Sequence, residues 1–233
     1  MSGPGWSART AGLPRRAAVC LLAVAAVVYN DWLLQFAVAT GLNQADSYVS
    51  ETFAANQPYR VLFSSEELAC AAIITAGALC AGRMFRARLA RIGSAAVAAA
   101  GLFSVADVLL PMSCAPSLDR GCTESFQHAT TSGLVHFALF ASMALFIAAS
   151  RAGGTGLRLV RRWGPWLLPV SMAAAISSTG PFFGHPGGQG IAQRIHLVTA
   201  GLWFALLAAE AGRARPAPAR HAVTRPQPTR AGR

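Results

Sequence analysis

Six stretches of mostly apolar residues, at roughly 17–41, 62–82, 92–112, 128–150, 163–183 and 190–211, dominate this 233-residue sequence. A helix of about 20 residues crosses the roughly 30 Å hydrocarbon layer of a bilayer. The stretches are continuous and rich in Ala and Leu, without the alternation of a half-buried strand. In lipid, a segment must satisfy its own backbone, which leaves helices or closed barrels. The pattern therefore predicts an all-α, polytopic membrane protein. A six-transmembrane-helix domain over 17–212 follows a basic segment, 1–16, and precedes a basic tail, 213–233. Only 12% of the residues are charged, about half the share of a soluble domain, too few to clothe a water-exposed surface. The first stretch also has signal-peptide features: Arg9, Arg15 and Arg16 before an apolar core, and Ala37-Val38-Ala39 after it. Its length, and the interruption at Tyr29, Asn30 and Asp31, favour an uncleaved helix.

Charge sets the orientation. There are 20 arginines and no lysine, against 9 acidic residues, for a formal net charge of +11. On a six-helix reading, 17 of the arginines fall on one side: before helix 1, between helices 2 and 3, between helices 4 and 5, and after helix 6. The other side holds Arg60, Arg120 and, at the mouth of helix 6, Arg194, with most of the acids. The arginine-rich side is cytoplasmic by the positive-inside rule, so both termini lie in the cytoplasm and the protein is placed in a cell membrane. The Arg-, Pro- and Ala-rich tail has no core-forming residues and is expected to be disordered. It anchors the topology and offers contact to anionic lipid, at about 1 kcal/mol per Arg near the surface. No basic face with interleaved aromatics exists, so nucleic acid is not an expected partner; membrane lipids are. No protein partner is indicated.

Cys20, Cys70 and Cys80 fall within helices and read as small buried hydrophobes. Cys114 and Cys122 flank a short outer loop, where disulfides persist, and are expected to pair. The rivals are a metal site with His128, and two free thiols. The first outer loop, Asn43 to Ser65, is long enough to serve as a lid or as a plain connection. The Gly-rich run from Gly184 to Gly190 reads as a tight turn.

Polar groups inside a bilayer are costly and mark function by default. On this reading Asp31 lies about ten residues short of the outer end of helix 1, with Gln35 on the same face. Glu66 and Glu67 open helix 2, and Asp107 sits near the outer end of helix 3. His128 and His136 share a face of helix 4, Ser177 and Ser178 lie in the outer third of helix 5, and Arg194 and His196 start helix 6. All fall in the outer half, while the inner halves are almost purely aliphatic. This predicts a water-accessible pocket, open to the outside, formed by Asp31, Gln35, Glu67, Asp107, His128, His136, Ser177, Arg194 and His196. The first functional reading is non-enzymatic, with a lipid head group or small molecule bound there and no cofactor. The alternative is a zinc-dependent lipid amidase or esterase, with Asp107, His128, His136 and His196 as candidate ligands and Asp107, His136 and His196 as candidate catalytic groups. A third is an assembly partner whose polar groups only pair internally, Asp31 or Asp107 with Arg194 and the histidines with backbone carbonyls. A proton-coupled transporter would need broken helices, for which only Gly133 and Pro169 are candidates.

Several segments resemble a bacterial six-helix membrane family, domain of unknown function 998. They are Ser47-Tyr48-Val49-Ser50-Glu51, Gln57-Pro58-Tyr59, Leu62-Phe63, Asp107 to Met112, Cys114-Ala115-Pro116-Ser117 with Cys122, His128, His136-Phe137, and Gln193-Arg194 with Trp203. The resemblance covers about residues 15–212 and implies the six-helix topology, but no activity. The first loop is also faintly similar to that of the Frag1/DRAM/Sfk1 family, which acts around membrane trafficking and lipid organisation. Ser50-Glu51 stands where that family has Ser-Asp. The membrane hydrolases that include the alkaline ceramidases bind zinc with Ser, Asp and three His; their paired His spacing is missing here.

Overall fold

The computed structural model describes residues 5–119, 121–122, 125–152 and 155–214. The tail from Arg215, with Arg120 and Glu124, lies outside these, and for residues 5–12 only the backbone is described. The described chain is all-α, with no strand. Six α-helices, α1 (Gly5–Val28), α2 (Arg60–Gly82), α3 (Arg88–Leu109), α4 (Phe126–Arg151), α5 (Arg158–Ser178) and α6 (Gln189–Arg213), are joined by turns that include short 3-10 segments at Asp31–Phe36, Val49–Phe53 and Gly180–Phe183. Among the described residues, α2, α3, α4 and α6 are long and apolar enough to cross a membrane. α5 differs because Arg158, Arg161, Arg162, Pro165 and Pro169 fill its first half.

The first apolar stretch is not one helix to residue 41, as expected. α1 starts earlier, at Gly5, and stops at Val28. The Asn30 amide donates to Ala26 O at 3.3 Å, taking the acceptor that the next helical N–H would use. Asn30 Oδ1 then accepts from the Trp32 indole at 3.2 Å. The chain tightens into i→i+3 bonds, Asn30 N–H to Val27 O and Leu33 N–H to Asn30 O. Asp31 and Gln35 therefore stand in a 3-10 segment beyond the helix, not within it. The fifth helix likewise ends at Ser178 rather than residue 183.

Each helix packs on its neighbours in sequence and α1 closes against α6, so the six form a ring. The seam between α4 and α5 is the thinnest. Leu22, Ile74, Phe146, Trp203 and Phe204 are fully buried. Phe146 meets Trp203 edge-to-face at 5.7 Å and Phe85 at 5.1 Å, the preferred aromatic geometry. At the α1–α6 crossing a Cβ on Gly201 would lie 2.7 Å from Ala26 O, so the close approach needs glycine there. Leu102, Leu109, Phe137, Trp166 and Ile176 are each more than half exposed on the outside of the ring. Exposed apolar surface of this extent suits a lipid surround better than water. Cys20 belongs to that exposed surface, against expectation; Cys70 is buried and Cys80 half-buried.

Cys114 and Cys122 are bridged, with Cα atoms 5.9 Å apart. The bridge leaves neither thiol for a metal site with His128. Cys114→Ser is expected to lower stability by about 2.5 kcal/mol on the chain-entropy model. It should also abolish the reduction-dependent gel shift; a melting temperature unchanged by the substitution would contradict the estimate.

Candidate functional site

One end of the bundle is roofed by the first long loop, the disulfide loop and the start of α6. Gly188, at φ +75°, turns the chain into α6. The next glycine, Gly190, has Gln44 O and Ser47 O each 2.5 Å from where a Cβ would be, so the loop backbone lies directly on the helix. Arg194, one turn on and 7% exposed, reaches under it. Its Nη1 donates to Gln44 O (2.7 Å), Ser47 O (3.0 Å) and Gly190 O (3.0 Å), and its Nη2 to Gln35 Oε1 (2.7 Å). The guanidinium lies 5.7 Å over the Trp32 ring. Ile191 N–H donates to Ala45 O, and Val49 N–H donates to Gln193 Oε1 at 2.5 Å. Arg194 thus holds backbone carbonyls and an amide. It forms no ion pair with Asp31 or Asp107 among the described residues.

Glu51, 1% exposed, ties the loop to its other neighbour. Oε1 accepts Tyr48 N–H at 2.8 Å; Oε2 accepts Ser117 N–H at 3.0 Å and Ser117 O–H at 2.5 Å. Ser117 belongs to the loop closed by the disulfide. The Tyr48 hydroxyl donates to Ser178 O on α5 at 2.7 Å, so the first loop lies across the bundle as a lid. The segments that carried the family resemblance bond largely to one another.

Beneath the lid, polar side chains gather in separate groups. On α3 and α4, Asp107 Oδ1 accepts from Thr131 Oγ1 (2.6 Å) and Ser132 Oγ (2.8 Å). His128 Nδ1 lies 3.2 Å from the same oxygen, close enough for an ion pair but not aligned as a hydrogen bond. Ser125 caps α4 by accepting His128 N–H at 3.1 Å, which fixes where His128 leaves the helix. Phe53 of the lid meets its ring edge-on at 5.9 Å. Deeper, His136 Nδ1 donates to Ser132 O at 2.6 Å, and its ring stacks on that of His196 at 4.4 Å. His196 Nδ1 lies 2.8 Å from Ser171 Oγ and 3.3 Å from Ser171 O.

A third group was only half expected. Asp31, Glu66 and Glu67 place carboxylate oxygens within 4.8 Å of one another, the one such trio of potential metal ligands among the described residues. Asp107, His128, His136 and His196 split instead into two pairs. Ser177 is exposed on α5, apart from all of these. Sequence reasoning passed over Thr131, Ser132, Ser171 and Glu51. Thr131 and Ser132 were reachable, because they stand three and four positions after His128, on its helix face. Ser171 carried no local signal.

Between α4 and α5, under the lid, lies a cleft of about 300 Å³. Its walls are apolar, including Phe137, Phe140, Met172, Ile176 and Phe182. Its polar lining comes from His128, Ser132 and His136 on α4, with Tyr48, Gln193 and neighbouring loop groups. Asp107 stands behind His128 and Ser132, and Arg194 holds the lid, so neither lines the cleft. Gly133 does, and a Cβ there would meet nothing within 4 Å. The cleft can take an apolar chain against its walls and a hydrogen-bonding group against the imidazoles and Ser132.

A family model described as "Protein of unknown function (DUF998)" matches residues 17–210. No curated protein and no solved structure matches the chain.

Proposed function

We propose, on the premise that the chain belongs to the DUF998 family, that it is a six-span membrane protein holding an amphiphile in the α4–α5 cleft. The ligand is a membrane lipid or a small molecule of similar build: an apolar tail with a hydrogen-bonding head. One observation carries this reading, a cleft of about 300 Å³ whose walls are apolar and whose α4 edge presents His128, Ser132 and His136. Ligand sites are typically apolar concavities with a few placed polar groups. The thin α4–α5 seam lets a chain enter from the side. The lid is then extracellular and the arginine-rich end cytoplasmic, with both termini, in a bacterial cell membrane. α1 and α5 complete the six spans. The tail beyond Ala214 adds contact to anionic lipid. Binding requires no cofactor and no bond-breaking step.

Gly133→Phe tests it. The new ring enters the cleft without meeting a neighbour at its Cβ, so the fold should hold. Detergent-purified protein is titrated with a short-chain phosphatidylcholine and its melting temperature followed. At a ligand concentration about tenfold over Kd, binding stabilises by about 1.4 kcal/mol, a shift of roughly 3–5 °C for a chain of this size. Wild type should show that shift and Gly133→Phe should lose it. An equal shift in both would place the binding elsewhere.

A further inference from the structure

The arginine-rich end holds a larger cavity, of about 870 Å³, ringed by the α2–α3 turn, the start of α5 and the end of α6. Phe85, Ala90 and Leu157 give it an apolar floor and are buried. Three arginines line it from three separate elements: Arg86 in the turn, Arg158 as the first residue of α5, and Arg213 as the last of α6. All three are exposed. Among the described residues none has a side-chain hydrogen bond or ion pair. Two other arginines at this end are engaged: Arg83 donates to Leu79 O at 2.8 Å, and Arg162 lies 5.0 Å over the Trp163 ring; what sets Arg86, Arg158 and Arg213 apart is that they line one cavity. One acid lines the cavity, Glu210, 2% exposed. Its Oε1 accepts Leu159 N–H (2.6 Å) and Val160 N–H (3.1 Å). Its charge therefore offsets the first turn of α5 and serves none of the three guanidiniums. The cavity is left with unpaired forked donors over an apolar floor, a combination that matches a phosphate oxygen set.

We propose that this cavity binds the phosphate head group of an anionic phospholipid from the adjoining leaflet. The site lies where α3 begins and α6 ends, the level at which head groups meet apolar helices of this length. Its volume exceeds what a phosphate needs and leaves room for the glycerol backbone above Phe85 and Leu157. Lipid is favoured over a free anion by that floor and by the attraction of basic groups to an anionic leaflet. The proposal rests on the membrane reading above but not on the α4–α5 cleft.

The test uses the full chain in detergent, with native mass spectrometry counting bound phosphatidylglycerol against phosphatidylcholine. Wild type should prefer phosphatidylglycerol by at least about tenfold. The triple variant Arg86→Gln, Arg158→Gln, Arg213→Gln should fall to the phosphatidylcholine level with unchanged helical circular dichroism. The corresponding triple Lys variant keeps the charge and should retain part of the preference. Gly133→Phe should leave it intact, which separates this site from the cleft. Millimolar inorganic phosphate should leave the lipid bound. A triple Gln variant that holds phosphatidylglycerol as wild type does overturns the proposal, as does displacement by inorganic phosphate, which would mark a free-anion site. Failure of the chain to float with liposomes would instead remove the membrane reading beneath it.

Discussion

Arg194→Met is expected to lower stability by about 4 kcal/mol, as a fall in melting temperature of roughly 8–16 °C in detergent. The substitution removes one guanidinium and strands three acceptors, the carbonyls of Gln44 and Ser47 and the Gln35 amide oxygen, while Gly190 O keeps its helical bond from the backbone of residue 194. Met fills much of the same volume, so the loss is of hydrogen bonds and not of packing. Leaving buried acceptors without donors costs far more than the pairs contribute net. The damage should be local as well as global. Protease cleavage should concentrate in residues 43–59, because Arg194 fixes the loop's path. Lys is predicted to recover only part, since one ammonium cannot serve acceptors spread around both Nη atoms. A variant that melts within a degree or two of wild type, with an uncut lid, would refute this account of the cap.

Glu51→Gln should cost about 2–3 kcal/mol although it is isosteric. Both carboxylate oxygens act only as acceptors, Oε1 from Tyr48 N–H and Oε2 from Ser117 N–H and O–H. An amide accepts on one side and must point its NH2 at a donor on the other. The effect should also couple to the disulfide, because Ser117 lies within the loop that Cys114 and Cys122 close. In a Cys114→Ser background the loop can move away from the wrong amide. The penalty of Glu51→Gln should then shrink by more than about 0.5 kcal/mol, the mark of coupled sites. Strict additivity in thermal or denaturant melts would show that the two restraints are independent.

Much of the architecture could be read from the chain because lipid-scale helices announce themselves by continuous apolar length. The cores of all six helices fall on the apolar stretches, and the cysteine pair on its short loop. What misled was local competition: Asn30 bonds back to Ala26 and ends α1 inside an apolar stretch, which moved Asp31 and Gln35 out of the helix. The confinement of Asp107, His128, His136, Arg194 and His196 to one end was legible from position in each stretch. Their partners were not. Arg194 was weighed against carboxylates because charge is visible in sequence, whereas backbone carbonyls sit at every residue and become partners only once a loop has a path. Helix facing was equally hidden, so nothing local separated Ser177, turned outward, from Ser171, which bonds His196. Glu210 drew no reading from the sequence, because its two N–H partners come from α5, some fifty residues away.

The anchoring of the lid has one more consequence. Arg194, Gly190 and Ile191 meet residues 44–47 through main-chain oxygens, so they grip the course of the chain and are indifferent to what hangs from it. The side chains of Gln44 and Ala45 are thereby released from the duty of holding the roof in place. At these two positions the roof can be redecorated without being detached, whereas Tyr48 and Glu51 hold it through their side chains and are not free to change.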